Sequence, residues 1–89
     1  MRRRVLRSRS GKTVEIILEM KEGRISSLTV SGDFMAFPSG AIDELEEALV
    51  GRTVEEVEGV VRDVLKDVEL IGIEVDELIK IIRELASSR

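Results

Sequence analysis

Residues 13–31 carry the pattern that most restricts the fold, because two alternating apolar segments flank a two-residue turn. In Thr13–Lys21 every second residue is apolar, at positions Val14, Ile16, Leu18 and Met20. A repeat of two with one polar face is typical of an antiparallel strand that is buried on one side. Glu22-Gly23 suits a tight turn with positive φ, and the chain returns through residues 24–31. The sequence therefore predicts a β-hairpin with one apolar face.

Two positions depart from this alternation. Ile17 interrupts the polar face of the first strand, so it lies either under another element or at an interface, and we expect the former. Ile25 has the wrong parity for the return strand, whose apolar positions are Leu28 and Val30, and the mismatch predicts a β-bulge after the turn. Residues 5–9 are a candidate third strand.

Helical patterns follow the hairpin. A loop is expected at residues 32–38, and a helix at residues 41–49 that ends before Gly51, a common C-cap residue. Thr53 and Glu56 have the spacing of a capping box, so a second helix should begin there.

The remainder of the chain predicts one more helix. Residues 68–73 form either a short strand or a tight connector, and the last helix should cover residues 75–86. Ile81 lies off its apolar stripe; we expect it to widen the buried face, with a partner contact as the alternative. The predicted fold class is α+β, a small antiparallel sheet of two or three strands with three helices packed on one face.

Composition limits both the core and the chemistry. A chain of 89 residues forms one domain, divided here into a basic segment at residues 1–10, which could form a partly ordered strand, and a folded body at residues 11–89. Only two residues are aromatic, so the core must be aliphatic. Cys, His, Asn and Gln are absent, and the loss of Cys, Asn and Gln is a thermophile-like signature. No apolar run nears the ~20 residues of a membrane span, so we expect a cytoplasmic protein.

Charge is distributed unevenly along the chain. Residues 1–12 hold six of the fourteen basic residues and none of the eighteen acidic ones, which gives this segment about +6 and the rest about −10. Arginine clusters bind phosphate without sequence preference, so nucleic acid is one possible partner of the segment. The acidic body and the lack of aromatic stacking residues argue against it, and favour a solvated segment or one that docks on a protein partner.

No reactive constellation is present. Without His or Cys there is no thiolate or imidazole chemistry, and we predict no catalytic residue and no metal site. Gly11-Lys12 lacks the glycine spacing and the following helix of a phosphate-binding loop. Asp33 differs from the other acids because it lies in a loop between Gly32 and Phe34, where it serves either as a contact residue for a ligand or partner or as a turn former or helix-entry cap.

The order of several short motifs resembles the C-terminal domain of lipoate-protein ligases, which in some archaea is a separate accessory polypeptide. The motifs are Gly11-Lys12 at the first strand, the Glu22-Gly23 turn, Gly32-Asp33-Phe34, the acidic helix ending in Gly51-Arg52, and Ile71-Gly72-Ile73. The similarity extends from Ser10 to Leu85. The chain departs from the family at Ser10, where Gly is usual, at Met35-Ala36, where an aromatic is usual, and at Glu74, where Ser or Thr is usual.

The resemblance implies a non-catalytic accessory subunit. A separate catalytic large subunit would hold lipoate, ATP and Mg²⁺, and this chain would bind no cofactor alone while supporting the formation of lipoyl-adenylate for protein lipoylation. Lipoyl-domain proteins would be indirect partners. The residues that the resemblance offers as contacts are Gly11, Lys12, Gly32, Asp33 and Phe34, with the basic segment near an acidic surface of the partner.

Two other interpretations remain. The strand-loop-helix order is also similar to iron–sulfur scaffold proteins, but the cluster-binding cysteines are missing, which leaves only an interaction module of that shape. The third interpretation is a small nucleic-acid-binding protein that uses its arginine-rich segment, and salt-sensitive binding to generic RNA would support it.

Overall fold

Five strands and three α-helices make up the computed structural model, which describes residues 1–88. The strands are β1 (Arg2–Arg7), β2 (Thr13–Lys21), β3 (Arg24–Gly32), β4 (Met35–Phe37) and β5 (Glu69–Ile71). The helices are α1 (Ala41–Leu49), α2 (Val57–Leu65) and α3 (Val75–Ser87), and a 3-10 turn at Val54–Glu56 precedes α2. None of the described helices is long and apolar enough to cross a membrane.

The first three strands form an antiparallel sheet in the order β1-β2-β3. Val5 of β1 lies opposite Glu15 of β2, which in turn lies opposite Ser31 of β3. The third strand predicted from the sequence is therefore present, but it occupies Arg2–Arg7 because the turn to β2 begins at Ser8.

All three helices pack on one face of this sheet, as the α+β prediction required. The core consists of aliphatic side chains from β2, β3 and the helices, and its fully buried members include Ile16, Leu18, Leu45, Leu49, Val57, Val61, Leu78 and Ile82. Ile81 is 4% exposed and belongs to the same cluster, so it widens the buried face of α3, as expected, and offers no contact to a partner. Ile17, on the opposite face of the sheet, is half-buried between β1 and β3.

The predicted bulge lies in the hairpin between β2 and β3. Glu19 pairs with Ser27 and Met20 with Ile25, which leaves Ser26 without a partner residue on β2. The Ser26 hydroxyl donates to the Glu19 carbonyl oxygen at 3.2 Å. This extra residue turns Ile25 inward, where it is 1% exposed, and so explains its parity.

Residues 32–38 were expected to form a loop, and this expectation is wrong for residues 35–37. Met35–Phe37 forms β4, which pairs antiparallel with β5 at Glu69–Ile71. The alternatives for residues 68–73 therefore resolve in favour of a short strand. Each of these strands is defined by hydrogen bonds to the other, which lies more than thirty residues away in the chain. Three residues are also too few to show a repeat of apolar positions, so neither strand has a clear sequence signal.

Contacts from α1 and the residues after it obstruct the outer edge of β3 at Val30 and Ile25. The Glu46 carboxylate accepts a hydrogen bond from the Val30 amide at 2.7 Å. Beyond the helix, the Gly51 amide donates to the Ile25 carbonyl oxygen at 2.7 Å, and the Ile25 amide donates to the Arg52 carbonyl oxygen at 2.9 Å. Gly51 has φ +88°, as its predicted role at the end of α1 requires.

The capping-box residues begin a 3-10 turn rather than an α-helix directly. The Glu56 carboxylate accepts from the Thr53 amide at 3.0 Å and from the Thr53 hydroxyl at 3.2 Å. This bond from the Thr53 backbone is the main cause that lowers the pKa of Glu56 below its ordinary value, with a smaller contribution from Arg52. The sequence located the start of the helical segment correctly but not its tighter first turn.

The arginine-rich segment is held against the rest of the molecule. The Arg2 guanidinium donates to the carbonyl oxygens of Leu85 and Ala86 at the end of α3. Three other arginines form ion pairs, which join Arg3 to Glu15, Arg4 to Glu84 and Arg9 to Glu74. Exposed pairs of this kind contribute only about 0–1 kcal/mol each, but they neutralise much of the segment's positive charge within the chain itself.

We predict that ionisation of Glu56 makes the free energy of unfolding of this protein depend on pH in the acid range. Because its pKa is lowered in the folded state, its contribution is present above the ordinary value of 4.5 and is lost as pH falls through the folded-state pKa. The thermal midpoint of the Glu56→Gln variant should therefore lie below that of the wild type at pH 7, and the gap should close toward pH 3. Circular-dichroism melts across this pH range measure the difference in thermal midpoint. Glu55→Gln, which changes an exposed neighbouring residue, is the control. Parallel pH profiles of the wild type and Glu56→Gln would contradict the prediction.

Candidate functional site

Three turns meet at one end of the sheet and bring the five predicted contact residues together. They are the β1–β2 turn at residues 8–12, the segment 32–34 after β3, and Gly72 after β5; we call them the three-turn cluster. Gly11 and Lys12 lie in the first turn, and Gly32, Asp33 and Phe34 make up the second segment. The contacts between these turns could not be deduced from the spacing of motifs in the sequence, because the turns are far apart in the chain.

Two serine hydroxyls join the first turn to the third. Ser8 and Ser10 each donate to the Gly72 carbonyl oxygen, with oxygen–oxygen distances of 2.5 and 2.6 Å. Ser8 Oγ also accepts from the Lys12 amide at 3.2 Å, while the Ser8 amide donates to the Lys12 carbonyl oxygen at 2.8 Å. Ser8 is 6% exposed, and it is the buried polar residue of the described chain.

Sequence reasoning missed Ser8, Ser10 and the part that Gly72 plays in this cluster. The one available signal is a pair of turn-forming serines directly before Gly11-Lys12, since serine hydroxyls often bond nearby backbone groups in turns. Their partner, the Gly72 carbonyl, could not be found from that signal because it lies more than sixty residues away.

Asp33 has a structural role, but one between strands that differs from the predicted turn former. Its Oδ1 accepts a hydrogen bond from the Thr13 amide at 2.7 Å, and its own amide donates to the Thr13 carbonyl oxygen at 3.2 Å. Gly32 lies so close to the same carbonyl that an added Cβ would be 2.1 Å from its oxygen. The Gly-Asp pair thus ties the end of β3 to the start of β2, while the exposed Asp33 carboxylate remains at the surface.

Gly72 also brings Lys12 and Phe34 together. A Cβ added at Gly72 would lie 2.7 Å from Lys12 Cγ and 3.2 Å from Phe34 Cβ, so both side chains pass directly over this residue. Phe34 is partly buried and packs on the hydrophobic core. Lys12 is exposed and forms no ion pair within residues 1–88. Its aliphatic stem is therefore held in place while its ammonium group faces solvent.

The surroundings of the cluster are charged on one side and apolar on the other. The Arg9 amide donates to the Glu77 carboxylate at 2.9 Å, which joins the first turn to the first turn of α3. On the β4–β5 pair, Met35, Phe37 and Ile71 are each about half exposed, at 53%, 44% and 46%. Met35 lies directly opposite Ile71, and Phe37 is two residues further along β4, so these three side chains share one face.

The polar side chains of this arrangement are largely engaged in structural hydrogen bonds. One Asp33 oxygen is already bonded to the backbone, and the two serine hydroxyls donate to Gly72 with no base beside them. Within residues 1–88 no group of three or more acidic side chains is placed to hold a metal ion. The three-turn cluster presents one ammonium group without an ion-pair partner in residues 1–88, one carboxylate and one aromatic side chain.

Gly72 provides a direct test of the cluster. We predict that Gly72→Ala destabilises the protein by about 2–4 kcal/mol, because Ala is strained at φ +99° and its Cβ overlaps Lys12 and Phe34. Gly59→Ala is the matched control: this exposed glycine lies within α2 with open space around it, so Ala should stabilise the helix by up to about 1 kcal/mol. Urea unfolding measures both. Equal effects of the two substitutions would show that the close approach at Gly72 is unimportant.

Comparisons with known proteins agree on one family. A family model described as bacterial lipoate protein ligase C-terminus matches residues 4–82, and so begins inside the arginine-rich segment. A curated relative, lipoate-protein ligase A subunit 2 of Thermoplasma acidophilum, is 31% identical over 71 residues, which cover 79% of this chain and 76% of the relative.

A solved structure gives the same result for the fold. It describes an archaeal lipoylation system from Thermoplasma acidophilum, comprising a bi-partite lipoate protein ligase and its E2 lipoyl domain. One of its chains superposes with a TM-score of 0.80 at 26% identity, over 88% of this chain and 89% of that chain. The chain therefore belongs to the family of lipoate protein ligase C-terminal domains.

Proposed function

We propose that this protein is the non-catalytic accessory subunit of a two-component lipoate-protein ligase. It supports the ATP-dependent activation of lipoate to lipoyl-adenylate by a separate catalytic large subunit. The observation that carries the proposal is the match, across nearly the full length of both chains, to a chain of a bi-partite ligase. The relative that is itself a ligase subunit supports it.

The chemistry of the chain is consistent with a helper role. A protein without His or Cys has few ways to activate a nucleophile. In this proposal the catalytic subunit binds lipoate, ATP and Mg²⁺. Lipoyl-domain proteins are then indirect partners, which bind to the catalytic subunit and not to this chain. The complex would be cytoplasmic, where ATP is available.

The three-turn cluster is the surface we assign to the catalytic subunit. Lys12 offers an ammonium group with no partner in the described chain, on a stem held by Gly72 and Phe34. Asp33 offers a carboxylate whose position is set by the Thr13 amide. By closing over the active site, such a surface can exclude water and complete the geometry of the reacting groups.

The first experiment measures pyrophosphate release from ATP and lipoate by the catalytic subunit, with and without this protein. Because lipoyl-adenylate formation releases one pyrophosphate, we expect activity to rise at least about tenfold in the mixture if closure supplies the missing geometry. Full activity of the catalytic subunit alone, with no complex formed, would contradict the proposal.

The contact residues are tested by substitutions that keep their structural roles. Lys12→Met keeps the aliphatic stem over Gly72 and removes the charge, while Asp33→Asn keeps an acceptor oxygen for the Thr13 amide. We expect each to reduce pyrophosphate release in the mixture by about threefold to tenfold, as is usual for a lost charged contact, without lowering the thermal midpoint. Lys21→Met, at the other end of β2 and about 27 Å away by strand length, is the matched control. Unchanged assembly and activity in both variants would remove these residues from the contact surface.

A further inference from the structure

The outer edge of β1 has unpaired backbone groups. The Thr13 carbonyl bonds to Asp33 on the β3 side of β2, and backbone direction alternates along a strand. Val14, Ile16 and Leu18 therefore turn their backbone groups toward β1, where their partners are Leu6, Arg4 and Arg2. It follows that the amides and carbonyls of Arg3, Val5 and Arg7 point away from the sheet.

The two edges of this sheet differ in how many of their outward backbone groups form hydrogen bonds. On β3, the outward Val30 amide is bonded to Glu46 and both outward groups of Ile25 are bonded to residues 51–52. On β1, the backbone groups of Arg3, Val5 and Arg7 have no hydrogen-bond partner among the described residues. An open strand edge is a template for another strand.

The side chains at this edge decide what kind of strand can pair with it. Arg3, Val5 and Arg7 lie on the sheet face away from the helices, and Val5 is 52% exposed. Arg2 and Arg4 point to the other face, where they bind the end of α3. A second copy of β1 would place arginines opposite arginines, which disfavours pairing of the chain with itself.

We infer that an extended acidic segment of the catalytic subunit adds to β1 as a fourth strand; the inference rests on the proposed function. Backbone hydrogen bonds to Val5 and its neighbours would supply affinity, and carboxylates opposite Arg3 and Arg7 would supply selectivity. Arg3 already pairs with Glu15 at the surface, and such exposed pairs exchange partners at little cost. Arg7 has no ion-pair partner in residues 1–88.

Nucleic acid fits this edge less well than an acidic strand. Phosphate binding is favoured by several cations in a row, but Arg2 and Arg4 point to the face of α3, which leaves Arg3 and Arg7 as the two cations on the outer face of β1. Unpaired amides and carbonyls that alternate at strand spacing match a polypeptide backbone.

Amide hydrogen exchange of the wild-type protein, read residue by residue with and without the catalytic subunit, tests the inference directly. In the free protein the outward amides of Val5 and Arg7 should exchange rapidly, and the inward amides of Arg4 and Leu6 slowly. In the complex, exchange at Val5 and Arg7 should slow at least about tenfold. Unchanged exchange at both residues in a complex that has formed would overturn the inference.

A proline substitution gives an independent test. Because the Val5 amide points outward, Val5→Pro removes no bond between β1 and β2 but blocks an added strand. We expect it to weaken the complex at least about tenfold, through the lost donor and the clash of its ring, while Val5→Thr, which keeps the amide, should stay within about twofold. Equal affinities of the two variants, measured by titration calorimetry, would overturn the inference, and thermal melts verify that both are folded.

The outcomes separate this inference from the proposed function. Activation by the wild type together with unaltered affinity of Val5→Pro would retain the accessory subunit and reject the added strand. Absence of both complex and activation would reject the proposed function and the inference with it. Salt-sensitive binding of a generic single-stranded RNA that is lost in Arg7→Ala, with no change in affinity for the catalytic subunit, would assign the edge to nucleic acid instead.

Discussion

The apolar face of the three-stranded sheet is the constraint on which the rest of the fold depends. Its side chains are aliphatic, and an exposed face of this size would be unstable in water, so all three helices are used to cover it. Each helix contributes a stripe of Leu, Ile or Val, because the chain has almost no aromatic residues to fill space. With the helices on one side, the other face of the sheet, the turns at its ends and the strand edges are left for contact with other molecules.

The elements predicted best from the sequence are those whose signal is local. The alternation in β2 and the apolar stripe of α1 lie within nine residues each, and the structure has both elements at the predicted bounds. The bulge at Ser26 could also be predicted, because Ile25 is an aliphatic residue at a position where the alternation of the strand requires a polar one. β4 was not readable, since its hydrogen bonds come from β5 and three residues carry no period.

The candidate site shows the same limit. Its five predicted residues came from the order of short motifs, and the structure places them in one cluster. Ser8, Ser10 and the role of Gly72 were missed because the link is a backbone carbonyl oxygen shared between distant turns, and a backbone group has no signature in the sequence. For Asp33, the sequence left two roles open, and the bond from the Thr13 amide is a third, which joins two strands and could not be deduced from neighbouring residues.

The obstructed edge of β3 has a consequence for how copies of this chain could assemble. A sheet with two open edges can accept a strand on each side and so propagate from molecule to molecule. Here Glu46 and residues 51–52 bond to the outward groups of Val30 and Ile25 and so obstruct one edge, which directs strand addition to β1. Backbone pairing between copies of this chain would therefore join one β1 edge to another, and such a symmetric contact closes as a dimer instead of propagating.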